Sequence, residues 1–271
     1  LLIGTDATGN DKNGADYQGS MADFLMLVIV DKTENTYSFL QFNRDTMTEV
    51  ALIDHNGEGE ATANIQLCTA HWYGGNREQS CENTVKSVKK LLGGIQIDGY
   101  YELNMSEIPK LNNMVDGVTV TVEDDFSKKY PKMKKGATIN LDDEQAYAYV
   151  HDRYGVGDEE NTSRMKRQQQ YMTGFFKKLQ EKVKANPNYA NEVFESLQDV
   201  STTDITIGKI SNISNIFASG TDKGIFELAG KSKIGQALGD EIDHMEFYVN
   251  KKAMVSTMSE LFGIVEQKNK E

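Results

Sequence analysis

Proline, cysteine and arginine are all scarce in this chain of 271 residues. With three prolines, two cysteines and 38% hydrophobic residues, the composition is that of an ordinary globular protein with a real core. No stretch approaches the ~20 consecutive apolar residues of a transmembrane helix, and no signal-peptide pattern opens the sequence. The length allows one large α/β domain or two small ones.

The scarcity of arginine is informative because lysine already provides solubility. Five of the 29 basic residues are arginines, at positions 44, 77, 153, 164 and 167. Arginine offers a rigid, permanently charged fork that matches phosphate or carboxylate oxygens. We therefore expect that Arg44, Arg153, Arg164 and Arg167 were selected to bind a ligand.

The overall charge is negative, with 41 acidic residues against 29 basic ones and a formal net charge of -12. A nucleic-acid partner is not expected, because a phosphate backbone requires a basic face. Any anion-binding site must therefore be a local positive pocket on an acidic protein.

The first residues, LLIGTD, have the pattern of a buried strand that runs into a loop. A native protein rarely begins at its first core strand. We therefore expect that a segment preceding residue 1 has been removed, and that this segment could have been a membrane anchor.

Strand and helix patterns are mixed throughout the chain. Apolar runs and alternation predict strands over 1–5, 25–30 and 36–42, and helical spacing predicts helices over 82–93, 141–153 and 162–184. Neither an internal repeat nor a low-complexity linker divides the sequence, which favours a single domain over 1–271. The mixture predicts an α/β fold whose sheet is covered by helices on both faces.

Three of the five arginines lie within residues 151–171. On the predicted helix, Arg164 and Gln168 are four residues apart and share a face, while Arg167 lies on the neighbouring flank. Arg153 enters from the end of the preceding helix, so this set could bracket a diphosphate from two sides. The alternative is a solvated basic face that pairs with the acidic residues at 158–160.

Two aspartates stand at the ends of predicted strands, Asp6 after the first and Asp23 before the second. Carboxylates placed near arginines and phosphate are a plausible seat for Mg²⁺, although strand-end aspartates are also common turn residues. His71 and His151 lack a partner at the spacing of a zinc site, so each is expected to be a packed or hydrogen-bonding residue.

The two cysteines, Cys68 and Cys81, flank the sequence TAHWYGGNREQS. A loop of that length could close as a disulfide, and the even count permits it. Two buried or free thiols in a reducing compartment are the alternative, and both possibilities stay open on these residues alone.

The order of the motifs resembles the LytR-CpsA-Psr family. The resemblance covers roughly residues 1–180 and rests on G-x-D, A-D-x-x-x-L, N-R-D-T, VDGVTVTV and R-x(10)-R-M-x-R-Q, in that order. It implies a three-layer α/β/α fold with a central mixed sheet and an apolar tunnel for a polyprenyl chain. In this interpretation residues 1–184 hold the core motifs of the single domain, and residues 185–271 form a C-terminal extension.

The resemblance also implies roles for individual residues. It makes Asp6 and Asp23 the metal ligands for Mg²⁺. The implied catalytic residues, which bind the pyrophosphate, are Arg44, Arg153, Arg164 and Gln168. Supporting contacts to the substrate are implied for Asp45, His151 and Arg167.

The chain departs from the family pattern at two positions. Many members have arginine where this sequence has Met21, and they have the first arginine of R-x-R where it has His151. Both changes remove fixed positive charge from the expected pyrophosphate site. Losing one charge-stabilising donor can cost on the order of 2.7–4 kcal/mol of transition-state stabilisation.

The function implied by the resemblance is that of a membrane-anchored enzyme whose catalytic domain lies outside the cell. It would transfer an anionic glycopolymer, of the teichoic acid or capsule type, from undecaprenyl pyrophosphate to peptidoglycan by Mg²⁺-assisted phosphoryl transfer. The same site could also hydrolyse pyrophosphate. The alternative is a non-catalytic module that binds polyprenyl phosphate or pyrophosphate and regulates wall assembly. An extracellular location would favour the Cys68–Cys81 disulfide.

Overall fold

A computed structural model describes residues 1–6, 17, 19–59 and 61–263. Its strands are β1 (Leu2–Thr5), β2 (Ala22–Asp31), β3 (Thr36–Gln41), β4 (Met47–Ala51), β5 (Thr62–Gln66), β6 (Tyr101–Asn104), β7 (Thr119–Thr121), β8 (Thr138–Asn140), β9 (Ser201–Thr203), β10 (Thr221–Glu227), β11 (Gly230–Gly235) and β12 (His244–Val249). Its α-helices are α1 (Arg77–Leu91), α2 (Ile108–Met114), α3 (Asp143–His151), α4 (Asn161–Ala185), α5 (Tyr189–Ser196), α6 (Ile207–Ser219) and α7 (Lys251–Phe262). Short 3₁₀ helices span Leu67–His71, Met105–Glu107 and Gln198–Val200.

A six-stranded mixed sheet lies at the centre, in the order β10-β3-β2-β1-β6-β9. The pairs β1–β2, β2–β3 and β6–β9 are antiparallel, whereas β1–β6 and β3–β10 are parallel. Three two-stranded ribbons, β4–β5, β7–β8 and β11–β12, surround it. The predicted mixed sheet is confirmed.

Helices cover both faces of this sheet, which confirms the three-layer α/β/α arrangement. On one face, Leu25 and Leu27 of β2 join a core cluster with apolar residues of α1 and α7. On the other face, Met26 of β2 packs in a second cluster with Phe176 of α4 and Phe217 of α6. The alternation of side chains along β2 therefore supplies both layers.

The C-terminal part of the chain contributes directly to this core. It provides β9 and β10, the two edge strands of the central sheet, and Leu228 and Met258 belong to the core cluster on the α1 face. The amide of Phe247 in β12 donates to the carbonyl of Asp45 at 2.8 Å, which ties the ribbon β11–β12 to the N-R-D-T motif. Residues 185–263 are thus packed into the same core as the motifs.

A β-bulge places one predicted site residue. In the pairing of β1 with β2, Gly4 faces Phe24 but Thr5 faces Ala22, so Asp23 is the extra residue between two registers. Bulges bend a strand and re-aim a side chain. Asp6 follows Thr5 directly, so both aspartates lie at the same edge of the sheet.

The three predicted helices are present as α1, α3 and α4, but α1 begins earlier than predicted. The helix predicted from residue 82 begins at Arg77, because the side chain of Asn76 accepts the amide of Gln79 and caps the helix there. None of the helices in the described ranges is long and apolar enough to cross a membrane.

Candidate functional site

Two arginines from distant parts of the chain meet at the bulged aspartate. Oδ1 of Asp23 accepts hydrogen bonds from Nη1 of Arg44 and, at 3.2 Å, from Nη2 of Arg164. Arg44 lies in the loop between β3 and β4, and Arg164 lies in the first turns of α4. The fold therefore brings three of the predicted site residues into direct contact.

Arg44 is held by sulfur and oxygen atoms on its remaining sides. Its Nη2 lies 3.0 Å from Sδ of Met21 and 3.5 Å from Sγ of Cys68, and its Nε lies 3.7 Å from Oδ1 of Asp45. Met21, which replaces an expected arginine, thus acts as a weak acceptor for the arginine that is present.

Arg164 is a buried guanidinium rather than part of a solvated face. The residue is 5% exposed, and burial, reinforced by the nearby charges of Arg44 and Arg153, lowers its pKa to about 10. The Nε atoms of Arg44 and Arg164 are both buried without a hydrogen-bond partner. Two under-satisfied cations at one place favour the binding of an anion.

An asparagine that the sequence reasoning missed connects this cluster. Asn161, the first residue of α4, accepts from Nη2 of Arg164 at 2.9 Å and donates to Oδ2 of Asp45 at 3.3 Å and to Oδ1 of Asn43 at 3.1 Å. Burial raises the pKa of Asp45, against the opposing charges of Arg44 and Arg164. The spacing of Asn161, one helical turn before Arg164, is the signal that could have indicated it.

His151 lies beside Asp6, the other predicted metal ligand. Its Nε2 lies 3.1 Å from Oδ2 of Asp6, its Nδ1 lies 3.2 Å from Oδ1 of Asp152, and its ring stacks on Tyr147 with centroids 4.7 Å apart. Hydrogen bonding to Asp152, and then to Asp6, raises the pKa of His151. The imidazole can therefore supply part of the positive charge that the family pattern places there as arginine.

The two aspartates fit the chemistry of a Mg²⁺ site that is completed by a ligand. Asp6 and Asp23 provide carboxylate oxygens at one edge of the sheet, and Mg²⁺ commonly takes one or two carboxylates together with phosphate oxygens and water. Within the described ranges no cluster of three or more His, Cys, Asp or Glu side chains could hold a metal ion. The donor set suits Mg²⁺ only together with phosphate.

Arg153 lies near the cluster without joining it. Its guanidinium carbon sits 4.5 Å from the ring centroid of Tyr154 and its Nη2 donates to the Tyr154 hydroxyl. Its charge nevertheless acts on Asp45 and Arg164, whose pKa values it helps to lower. The residue is thus within electrostatic reach of the site, but its hydrogen bond is made outside it.

Arg167 and Gln168 are directed into the protein. Arg167 is 1% exposed and bonds to the carbonyl of Tyr149 at 2.9 Å. The amide of Gln168 donates to the carbonyl of Val150 and accepts from Gln41, both at 3.1 Å. The ligand contacts predicted for Arg167 and Gln168 are therefore corrected, because buried side chains that are bonded to internal partners are not accessible to a ligand.

The candidate disulfide between the two cysteines is not formed in the structure. Cys68 and Cys81 are both buried free thiols, and they face different partners. Sγ of Cys68 faces Arg44, whereas Sγ of Cys81 lies 3.6 Å from Nε2 of His71. Since Nδ1 of His71 lies 3.0 Å from the Ser20 carbonyl and must donate to it, the Cys81 thiol donates to Nε2. His71 is a packed residue, as expected.

An apolar strip leads away from the polar site along β3 and α4. Next to the contact between Gln41 and Gln168, Phe39 stacks on Phe176 with centroids 4.2 Å apart, and further on Gln180 donates to the Tyr37 hydroxyl at 3.1 Å. Neighbouring members of this cluster are half-buried, including Phe24, Val28, Met172 and Phe217. The strip therefore places aromatic and aliphatic side chains beside the charged cluster of Asp23, Arg44 and Arg164.

The chain matches a known protein family over almost its whole length. The model of the LytR_cpsA_psr family matches residues 1–262. The chain belongs to this family. The family match extends beyond the motifs at 1–180 and includes most of the C-terminal extension.

One curated relative is the polyisoprenyl-teichoic acid–peptidoglycan teichoic acid transferase TagU of Bacillus cereus (strain AH820). It is 29% identical over 178 residues, which are 66% of this chain and 51% of that protein. The alignment with this member of the LytR_cpsA_psr family therefore covers about half the length of the relative.

Solved structures share the fold along almost the whole chain. Protein gbs0355 of Streptococcus agalactiae has a TM-score of 0.75 with 21% identity and covers 96% of this chain and 85% of its own. TagV of Bacillus subtilis has a TM-score of 0.71 with 20% identity and coverages of 98% and 96%. TagT bound to LI-WTA has a TM-score of 0.69 with 21% identity and coverages of 97% and 88%.

Proposed function

We propose that the protein transfers an anionic glycopolymer of the teichoic acid type from a polyprenyl pyrophosphate carrier to peptidoglycan. The family and the activity in the name of its relative TagU support this substrate class. The observation that carries the proposal is the convergence of Arg44 and Arg164 on Asp23, with both Nε atoms buried and without a hydrogen-bond partner. In this proposal the domain works in the cell-wall space, next to the membrane that holds the carrier.

The arginines would bind the pyrophosphate. A guanidinium pairs with phosphate through two parallel hydrogen bonds, and the Nε atoms of Arg44 and Arg164 in the site have no hydrogen-bond partner. Arg153 is close enough to lower the pKa of Asp45, and it would turn from Tyr154 to the outer phosphate. Such positioning and charge neutralisation are the main contributions of a protein to phosphoryl transfer.

Asp6 and Asp23 would hold Mg²⁺, which when bound neutralises negative charge on the phosphate oxygens. Asp23 would then no longer need the arginines as its counter-charge. His151, which is hydrogen-bonded to Asp6, would orient that carboxylate from the other side. These residues hold the charged head of the carrier against the edge of the sheet.

The strip along β3 and α4 would accept the start of the polyprenyl chain. It begins where Gln41 meets Gln168 and continues over Phe39 and Phe176. Burying apolar surface contributes roughly 25 cal/mol per Å², which favours a lipid carrier over a soluble nucleotide sugar. The half-buried members of the cluster would separate to admit the chain.

In the transfer step, a hydroxyl oxygen of peptidoglycan attacks the phosphorus on the sugar side. The new O–P bond forms as the bridging P–O bond breaks, and polyprenyl phosphate leaves with that bridging oxygen. Asp45 is the expected acceptor of the hydroxyl proton, since burial raises its pKa. Water in place of the hydroxyl would give pyrophosphate hydrolysis.

A substitution series on α4 tests this function. With a purified lipid-linked donor, Arg164→Ala should abolish transfer, and Arg164→Lys should restore little of it, because a point charge does not replace the fork. Lys166→Ala removes an exposed positive charge two residues away and should transfer at the wild-type rate. Retention of lipid by the wild-type protein without any transfer would instead support the non-catalytic module, and full transfer by Arg164→Ala would overturn the site.

A further inference from the structure

The last turn of α3 is held from outside by side chains of α4. Nε of Arg167 donates to the carbonyl of Tyr149 at 2.9 Å, its Nη2 donates to the carbonyl of Asp152, and Nε2 of Gln168 donates to the carbonyl of Val150 at 3.1 Å. The final carbonyls of a helix lack partners within the helix. These three bonds therefore fix the end of α3.

Asp124, in the loop after β7, holds Arg167 in turn. Its Oδ2 accepts from Nη1 of Arg167 at 2.5 Å, while the guanidinium carbon lies 5.3 Å from the ring centroid of Phe126. The guanidinium is thus fixed by a carboxylate, two carbonyls and an aromatic ring. A buried arginine of this kind depends on its counter-charge.

Asp124 also touches the loop between α3 and α4. Gly157 has φ of +57°, and a Cβ added there would lie 2.6 Å from Oδ1 of Asp124. The backbone therefore approaches the carboxylate more closely than any residue with a side chain could. Asp124 therefore contacts the segment 149–157 directly at Gly157, and it contacts the start of that segment indirectly, through Arg167.

That segment carries two residues of the proposed site. His151, which bonds to Asp6, and Arg153 both lie between the points held by Arg167 and Asp124. We propose that Asp124 is a positioning residue which, through Arg167, sets His151 and Arg153 against the pyrophosphate. This role rests on the proposed function, and no atom of Asp124 needs to contact the substrate.

The expected effect is loss of rate by misplacement. Asp124→Asn keeps the shape and one acceptor oxygen but removes the charge that holds Arg167. A displacement of ~1 Å in a site can cost about a hundredfold in rate, so we expect transfer to fall by about ten- to a hundredfold. Asp125→Asn, which removes the adjacent exposed charge, should transfer at the wild-type rate.

A double-substitution comparison separates positioning from a general loss of fold. If Asp124 acts through Arg153, Asp124→Asn should lower the rate much less in an Arg153→Ala background than in the wild type. In an Arg44→Lys background it should keep its full effect, since Arg44 lies outside the held segment. Equal effects in both backgrounds would overturn the proposal. Gly157→Ala, which pushes the loop away from Asp124, should reproduce the pattern if Asp124→Asn fails to fold.

Hydrogen exchange provides a readout that does not depend on catalysis. In Asp124→Asn the amides of residues 149–157 should exchange faster than in the wild type, with little change in β1–β3, and Asp125→Asn should show neither effect. If Asp124→Asn shows the faster exchange but the wild-type protein transfers no polymer, the positioning role stands and the proposed function is rejected. Unchanged exchange in Asp124→Asn would reject the positioning, whatever the activity.

Discussion

Asp23 acts as an internal anion for the two arginines that are expected to bind pyrophosphate. Its Oδ1 accepts hydrogen bonds from both Arg44 and Arg164. An incoming pyrophosphate must compete with this carboxylate. Replacing it in Asp23→Asn removes the competing charge and leaves a side chain of the same shape, so the variant should bind pyrophosphate more tightly in metal-free buffer.

The size of this effect follows from the charges and their exposure. Two unit charges 4 Å apart interact by about 4 kcal/mol at the effective dielectric constant of ~20 that suits partly exposed sites. The side chains of Asp23 and Arg44 are 11% and 17% exposed. Because the amide oxygen introduced by Asp23→Asn still accepts from the arginines, only part of that energy is gained. We expect a net gain of about 1.4 kcal/mol, which is a tenfold lower Kd.

Titration calorimetry with inorganic pyrophosphate in the presence of a chelator measures this change. Asp199→Asn, which removes an exposed acidic charge elsewhere, should leave the Kd unchanged and controls for net charge. With Mg²⁺ and the lipid-linked donor, Asp23→Asn should transfer more slowly than the wild type, because it lacks a proposed metal ligand. Weaker pyrophosphate binding by Asp23→Asn in metal-free buffer would refute the competition.

Two further predictions concern stability and the thiols. Glu246 accepts from the Tyr248 hydroxyl and the Ala237 amide, which lowers its pKa; its stabilisation is therefore present above the unfolded-state pKa of ~4.3 and lost as the pH falls through the folded value. In thermal unfolding, Glu246→Gln should be less stable than the wild type at pH 7 and should approach it below about pH 4; a constant difference would contradict this. Cys68 and Cys81, both buried free thiols, should react with an alkylating reagent only after denaturation, and a mass gain of two hydrogens on reduction would show that they form a disulfide.

The architecture was accessible from the sequence because its periodicities are strong. The apolar run in β2 and the helical stripe in α4 depend on local spacing alone, and both elements lie where they were predicted. The family resemblance assigned Arg44 and Asp23 to one site, and their side chains are in direct contact. The first five residues of α1, 77–81, were missed because most of them are polar, and only the cap at Asn76 marks their start.

The details of the site depend on tertiary contacts that the pattern does not contain. The bulge at Asp23 follows from the register of β2 on β1, which no local signal fixes. Helical spacing put Arg164 and Gln168 on one face, but both are polar, so it could not show that Gln168 faces Gln41 and the end of α3. Arg167 was missed as a structural residue for the same reason.

The Nε atoms of Arg44 and Arg164, which are buried without a hydrogen-bond partner, support the proposal that a ligand completes this site. A buried donor without a partner costs about 1–3 kcal/mol, and both are found at one place in the molecule. Elsewhere, Arg167 shows that the same side chain can be fully bonded in this fold. The contrast supports a role for Arg44 and Arg164 that is completed only by a ligand.

The most direct test of this account is a crystal structure of the protein with a polyprenyl pyrophosphate. The account predicts that phosphate oxygens lie within hydrogen-bond distance of Arg44 and Arg164, with the lipid chain over Phe39 and Phe176. A pyrophosphate bound elsewhere, with both arginines still bonded to Asp23, would contradict it.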